Sequence, residues 1–259
     1  MYQNLIFENR DGVVRITLNR PDVFHALSPA LVAEITSAIR TAANDDSVRV
    51  VLLTATGEKA FCSGADLKEA SASGKSAGEI LKEYYEPMII AIRDIPKPVV
   101  CRMNGLAVGA GCSLALACDM VIAADDTYLS LLFVQIGLMP DAGATFILPR
   151  LVGMARAFEL ASTGRRIPAP EALAMGLITH SVAREALDEE TEKLVAYYRH
   201  APTRAIGAMK HAFNQSMHSN LPQMLETERE SQEMLFGTRD VREGIAAFLQ
   251  KRKPDFQGS

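Results

Sequence analysis

The sequence lacks a basic surplus, a metal-ligand cluster and a long apolar run, and each absence removes a class of function. With 27 Lys and Arg against 31 Asp and Glu, its net charge of −4 offers no cationic footprint for a phosphate backbone, so nucleic acid is excluded as a partner. The five histidines, His25, His180, His200, His211 and His218, are scattered rather than set at ligand spacing, and no metal site is expected. Four cysteines, Cys62, Cys101, Cys112 and Cys118, lack zinc spacing and sit among apolar or small residues. They read as buried, reduced thiols of a cytoplasmic protein. The longest apolar candidate, 99–122, is broken by glycines, Arg102 and Asp119, so no membrane span is expected. Residues 1–8 have neither the basic segment nor the apolar core of a signal peptide. The spacing of Gly105, Gly109 and Gly111 does not match a dinucleotide fingerprint.

What is present has the balance of an ordinary globular protein. The 259 residues are 48% hydrophobic and 22% charged, enough for a full core as one large domain or one domain with an appendage. Residues 13–19 alternate as a strand does, and Arg20-Pro21-Asp22 ends it. Ser28-Pro29 has the form of an N-cap followed by the first helical position, opening a helix whose apolar face is Leu31, Ile35 and Ile39. Residues 48–54, apolar without a break over 50–53, predict a strand buried on both faces. A Gly- and Ser-containing loop is expected over 56–65, then a mobile polar stretch to Gly78. Helix returns over 79–94, a second buried strand over 99–103, a helix over 109–118 and a strand over 120–124. Repeated strand–turn–helix units with buried strands predict an α/β fold. After about residue 185 the pattern becomes helical throughout, near 186–200, 202–217, 221–236 and 239–251. The chain therefore divides into a core at 1–185 and a helical region at 186–259, whose Met209, Phe213, Leu225, Leu235 and Phe236 must pack on the core or on another subunit.

Three loops hold the residues able to do chemistry. The first is Lys59-Ala60-Phe61-Cys62-Ser63-Gly64-Ala65-Asp66-Leu67, after a buried strand. The second is the glycine turn at 104–111, also after a buried strand and running into small helix formers. The third is Ile136-Gly137-Leu138-Met139-Pro140-Asp141-Ala142-Gly143-Ala144-Thr145, with Asp141 ahead of a helix start. Loops at strand ends of open α/β sheets are where ligands bind, and two of them can each aim one N–H at a common oxygen. A simpler use exists for each candidate: Asp141 as the cap of the helix near Gly143, and Asp66 as the cap of a short helix. Ser113 has no Gly-x-Ser-x-Gly elbow around it and reads as an ordinary helix residue. Asp119 reads as a local hydrogen-bonding group at a helix–strand junction, and Lys251-Arg252-Lys253 as a solvated tail.

Residues 61–67, 104–119 and 139–145, with the ending Glu243-Gly244-Ile245-Ala246-Ala247-Phe248-Leu249-Gln250-Lys251-Arg252, resemble the enoyl-CoA hydratase/isomerase (crotonase) superfamily over essentially the whole chain. The resemblance implies a spiral of repeated β-β-α units followed by a helical region that builds homotrimers, often paired into hexamers. It implies an acyl-CoA substrate, with CoA as part of that substrate and no separate cofactor. The thioester oxygen would accept two backbone N–H bonds, and the matching positions are Ala65 and Ala110, the latter preceded by Gly109. The adenine-binding loop falls on Lys59 and on Cys62, Ser63, Gly64 and Ala65, with Asp66 and Leu67 continuing it. Phe248 and Lys251 match residues that reach the nucleotide end of CoA in a neighbouring subunit.

The sequence departs from the family at the catalytic acids. The two glutamates that activate water in the hydratases would stand at Ser113 and Phe133, and Leu131-Leu132-Phe133-Val134 makes that wall apolar. Without a base there, water addition loses its activating group. Several isomerases of the superfamily, including dienoyl-CoA isomerases and the ring-epoxide isomerase of phenylacetate breakdown, carry an aspartate at the place of Asp141. The expected activity is isomerisation of a CoA thioester, by double-bond shift or epoxide rearrangement, with Asp141 as acid and base. Alternatives are an enoyl-CoA hydratase and a non-catalytic acyl-CoA-binding protein. A dehalogenase would use the same aspartate as a nucleophile beside a histidine base, but no histidine lies between His25 and His180 and tryptophan is absent.

Overall fold

Every residue of Val50–Ala55 is buried, as a strand covered on both faces requires. The computed structural model describes residues 2–259. In chain order its strands are β1 (Leu5–Arg10), β2 (Val13–Leu18), β3 (Val50–Ala55), β4 (Ala60–Cys62), β5 (Val99–Met103), β6 (Leu106–Val108), β7 (Met120–Ala124), β8 (Tyr128–Ser130), β9 (Ile167–Pro168) and β10 (His180–Val182). A large sheet runs β1-β2-β3-β5-β7-β10, antiparallel at β1–β2 and parallel elsewhere. A small sheet runs β4-β6-β8-β9, parallel through its first three strands.

The two sheets grow together. β3, β5 and β7 enter the large sheet, and the strand after each, β4, β6 and β8, enters the small one before a helical segment follows. This is the repeated β-β-α spiral. The helices are α1 (Pro29–Ala43), α2 (Leu67–Ala72), α3 (Ala77–Ile80), α4 (Glu86–Asp94), α5 (Ala110–Ala117), α6 (Ala144–Val152), α7 (Met154–Thr163), α8 (Ala169–Ala174), α9 (Leu187–Arg199), α10 (Thr203–Ser216), α11 (Leu221–Phe236) and α12 (Arg239–Gln250). α3 and α4 are joined through a π turn at Leu81–Tyr85, so 77–94 is one helical stretch.

The local sequence explains the elements. Ser28 caps α1 by accepting from Leu31 N at 3.2 Å, with Pro29 beginning the first turn. At its other end the buried Lys97 donates to the carbonyls of Ala42 at 2.6 Å and Asp45 at 2.5 Å, satisfying orphan groups of the last turn and complementing its negative pole. α1 lays Leu31, Ile35 and Ile39 against the core, where fully burying each is worth about 2 kcal/mol. The stretch expected to be polar and mobile carries the short helix α2 that Asp66 was expected to cap, and also α3, which has its own Ser76–Glu79 capping box.

α9 covers the other face of the large sheet: Leu187 and Val195 join Val50, Leu52, Val100 and Ile122 in a second cluster. The helical region thus begins as a layer of the core. α10 is tied in by Lys210, buried, whose ammonium donates to Asp119 Oδ2 at 2.7 Å and to Ile92 O at 2.8 Å. Asp119 also accepts from Val99 N at 2.8 Å, so it is the junction group expected and, in addition, the anchor of α10. Met209, Phe213, Leu225 and Phe236 stay exposed on the outside of the helical region, and Leu235 is half-buried.

Candidate active site

The residues of interest lie at the carboxyl ends of three adjacent parallel strands, β4, β6 and β8, where open sheets place ligands. After β4 the chain turns at Gly64, whose φ of +100° is left-handed. Leu27 N donates to Gly64 O at 2.8 Å and Asp66 N donates to Leu27 O at 3.1 Å, a short parallel bridge. Successive peptides of an extended chain alternate, so Ala65 directs its own N–H away from Leu27. A Cβ on Gly64 would stand 2.9 Å from Val108 O and 3.5 Å from Ala110 N. The two loops therefore touch, with Ala65 and Ala110 on neighbouring backbones.

Ala110 is the first residue of α5, where an N–H has no carbonyl one turn earlier to bond. Among the described residues, neither Ala65 N nor Ala110 N donates to another group of the chain. The second fixes its place through Gly111: a Cβ there would sit 2.3 Å from Cys62 O, so α5 starts hard against the end of β4. Two free N–H groups, one at the positive end of a helix, make an oxyanion-binding arrangement.

Asp141, on the third loop, is tied to the same helix α5. Its backbone carbonyl accepts from Ser113 Oγ at 3.0 Å and from Ala144 N at 3.0 Å. Its side chain does not cap α6, whose N-cap position is Gly143 and which has no side-chain cap. Carboxylate Oδ1 is buried and has no hydrogen-bond partner. Burial without compensation raises the acid to a pKa of about 6, from 3.8. An orphaned buried oxygen costs about 1–3 kcal/mol, and such groups cluster where chemistry is done. Tyr85, buried on the π turn, feels the Asp141 charge, which adds to desolvation in raising its phenol. Its hydroxyl donates to Leu27 O at 3.3 Å, behind Ala65.

The other predicted residues distribute as follows. Cys62 is buried, and burial pushes its thiol up to about 12, which leaves it inert. Ser63 is half-buried and Leu67 exposed on the loop after β4, Lys59 is exposed just before that strand, at its opposite end, and Phe133 is buried in the main core. The Asp66 carboxylate is engaged twice, capping α2 through Glu69 N at 3.1 Å and pairing with Arg20 at 3.1 Å. Phe248 is 83% exposed on α12, and Lys251 closes that helix with φ +56°. Among the described residues no hydrogen bond joins either to the paired loops of the same chain. Sequence reasoning missed Leu27, Tyr85 and the hydroxyl of Ser113. The apolar triplets Ala60–Cys62 and Leu106–Val108 were the signal for the small sheet that brings these residues together.

Comparison with known proteins is consistent along the whole chain. The profile of a family described as Enoyl-CoA hydratase/isomerase matches residues 8–259. A Rhodobacter capsulatus protein named "Probable enoyl-CoA hydratase" is 42% identical over 99% of both chains. The Escherichia coli 1,2-epoxyphenylacetyl-CoA isomerase is 35% identical over the full length of both. The crystal structure of an enoyl-CoA hydratase from Bacillus anthracis superposes with a TM-score of 0.91 at 35% identity, covering 99% of this chain and 100% of that one.

Proposed function

Since the chain belongs to the enoyl-CoA hydratase/isomerase family, we propose that it is an isomerase of acyl-CoA thioesters, with Ala65 and Ala110 as oxyanion donors and Asp141 as the proton-carrying group. The observation that carries this is the unpartnered, buried Oδ1 of Asp141, on a loop bonded through Ser113 to the same helix whose first N–H is free. Where the resemblance places the hydratase glutamates, this chain has Ser113, whose hydroxyl is spent on a backbone carbonyl, and buried Phe133. Neither can activate water.

For a 3-enoyl thioester, the Asp141 carboxylate removes a proton from C2. The electron pair moves onto the thioester oxygen, giving a dienolate held by the two N–H groups. The protonated Asp141 then returns the proton at C4, and the double bond settles between C2 and C3. No water or other reactant is consumed. A pKa of about 6 suits both halves: about nine-tenths of the group is ionised at pH 7, while its conjugate acid is strong enough to give the proton back. A ring-epoxide thioester would use the same oxyanion donors, with Asp141 assisting C–O reorganisation.

The CoA portion is assigned to the loop at Lys59 and 62–67, with Phe248 and Lys251 supplied by a neighbouring subunit of a trimer or hexamer. The exposed Phe213, Leu225, Phe236 and Leu249 support such an assembly, since exposed apolar surface of this extent marks an interface. Four buried, unpaired thiols support a reducing, cytoplasmic setting. A hydratase is the second reading, favoured by the name of the Rhodobacter relative. Initial rates on crotonyl-CoA, trans-3-hexenoyl-CoA and epoxidised phenylacetyl-CoA separate the two. Isomerisation of one of the last two is expected to dominate, and efficient hydration of crotonyl-CoA would require a base other than Asp141.

A further inference from the structure

Ser113 occupies the first turn of α5, three residues after the Ala110 donor, and is fully buried. Its hydroxyl has two carbonyls within reach. The one in its own helix, Gly109 O, is at 3.5 Å, whereas Asp141 O, on a different loop, is at 3.0 Å. The shorter bond crosses between elements. An ordinary helical serine would turn back to its own preceding turn.

The loop it reaches is one that needs holding. Directly after Asp141 come two left-handed residues, Ala142 at φ +48° and Gly143 at φ +80°. The first carries a Cβ and is disfavoured there, so the surrounding structure must impose the conformation. Ile89 of α4 presses on the same loop, with Cγ2 placed 3.2 Å from where a Gly143 Cβ would be. No side-chain bond steadies the Asp141 carboxylate at Oδ1. Its position is therefore set through its backbone.

We propose that Ser113 is a positioning residue: its hydroxyl pins the Asp141 peptide to the first turn of α5, so that the base and the Ala110 N–H keep a fixed separation. The side chain standing where the hydratases carry an acid thus serves the base on the other wall. This rests on Asp141 being the base, and it adds that base and oxyanion donor are one mechanical unit. Release of the pin lets the carboxylate swing toward water, away from the apolar setting that it shares with Tyr85, the titratable side chain of the neighbouring π turn that feels its charge.

Ser113→Ala removes the bond. Its test combines turnover of trans-3-hexenoyl-CoA with the 13Cγ titration of aspartate-labelled protein, with Asp141→Asn fixing the assignment. The expected result is a kcat at least tenfold lower with KM within twofold, and an Asp141 midpoint falling by at least one pH unit from about 6. Should the alanine variant not fold, Ser113→Cys keeps the volume with a much weaker donor and is read the same way. A midpoint that stays in place overturns the assignment whatever the rate does. Wild-type protein inert on every thioester would instead sink Asp141 as a base, and the carbon titration would still decide whether Ser113 holds it.

Discussion

Asp141→Asn keeps the shape of the side chain and removes its charge, so it measures directly how unfavourable the buried carboxylate is. The acid is raised from 3.8 to about 6 by desolvation, with no compensating hydrogen bond at Oδ1. At 1.36 kcal/mol per pH unit the ceiling is about 3 kcal/mol, and water screening of a half-buried side chain brings the destabilisation of the charged form to about 1–2 kcal/mol. The sign follows from the proton count. Between pH 3.8 and about 6 the native protein holds a proton that the unfolded chain has released, so wild-type stability rises as pH falls through that window. Above about pH 6 both states are ionised and the full penalty stands. The asparagine variant has no such dependence. It is expected to be more stable than wild type by about 1–2 kcal/mol at pH 8, with the gap closing toward zero near pH 4. Urea denaturation of both proteins at equal concentration and at the two pH values gives the difference. Equal stability at pH 8, or a gap that does not close on acidification, would refute burial of an uncompensated carboxylate.

The rate should report the same group: kcat/KM for the preferred thioester is expected to climb through about pH 6 and level off above it, as a required base does. A profile flat from pH 5 to 8 would exclude Asp141 from the rate-limiting proton transfer. Gly111→Ala places a Cβ 2.3 Å from Cys62 O, so the start of α5 must retreat from β4. Loss of turnover together with about 3 kcal/mol of stability is expected by activity assay and denaturation. Lys210→Met leaves Asp119 partly buried opposite Arg93 alone, 3.6 Å away. It should cost about 3–5 kcal/mol by the same denaturation assay, and a loss under 1 kcal/mol would show that α10 is held by its apolar contacts instead.

The large sheet was legible because its strands, 50–55 and 99–103 above all, are mostly apolar, with only Thr54 and Arg102 as polar members, a pattern that burial on both faces sustains. The four C-terminal helices were legible from their 3.6-residue periodicity and fall within a residue or two of expectation. The small sheet was not, because strands of three residues are too short to show a period of two. β4 and β6 were absorbed into the loops that they position. Nor was the connection from β8 through α6, α7 and α8 resolved into elements beforehand. At the site, the strand-end loops pointed to paired N–H groups, and the resemblance assigned these to Ala65 and Ala110 and the acid/base role to Asp141. Ser113 escaped because its partner is a backbone carbonyl 28 residues away, which carries no side-chain signature.

The most direct test is the turnover of Asp141→Asn on whichever of trans-3-hexenoyl-CoA and epoxidised phenylacetyl-CoA the wild type isomerises faster, with the affinity for the same thioester measured by calorimetry. A proton-shuttling Asp141 predicts a fall in kcat of about 1,000-fold or more, with Kd changed only a few-fold because the oxyanion donors and the CoA loop are untouched. Retention of wild-type turnover in that variant would contradict it.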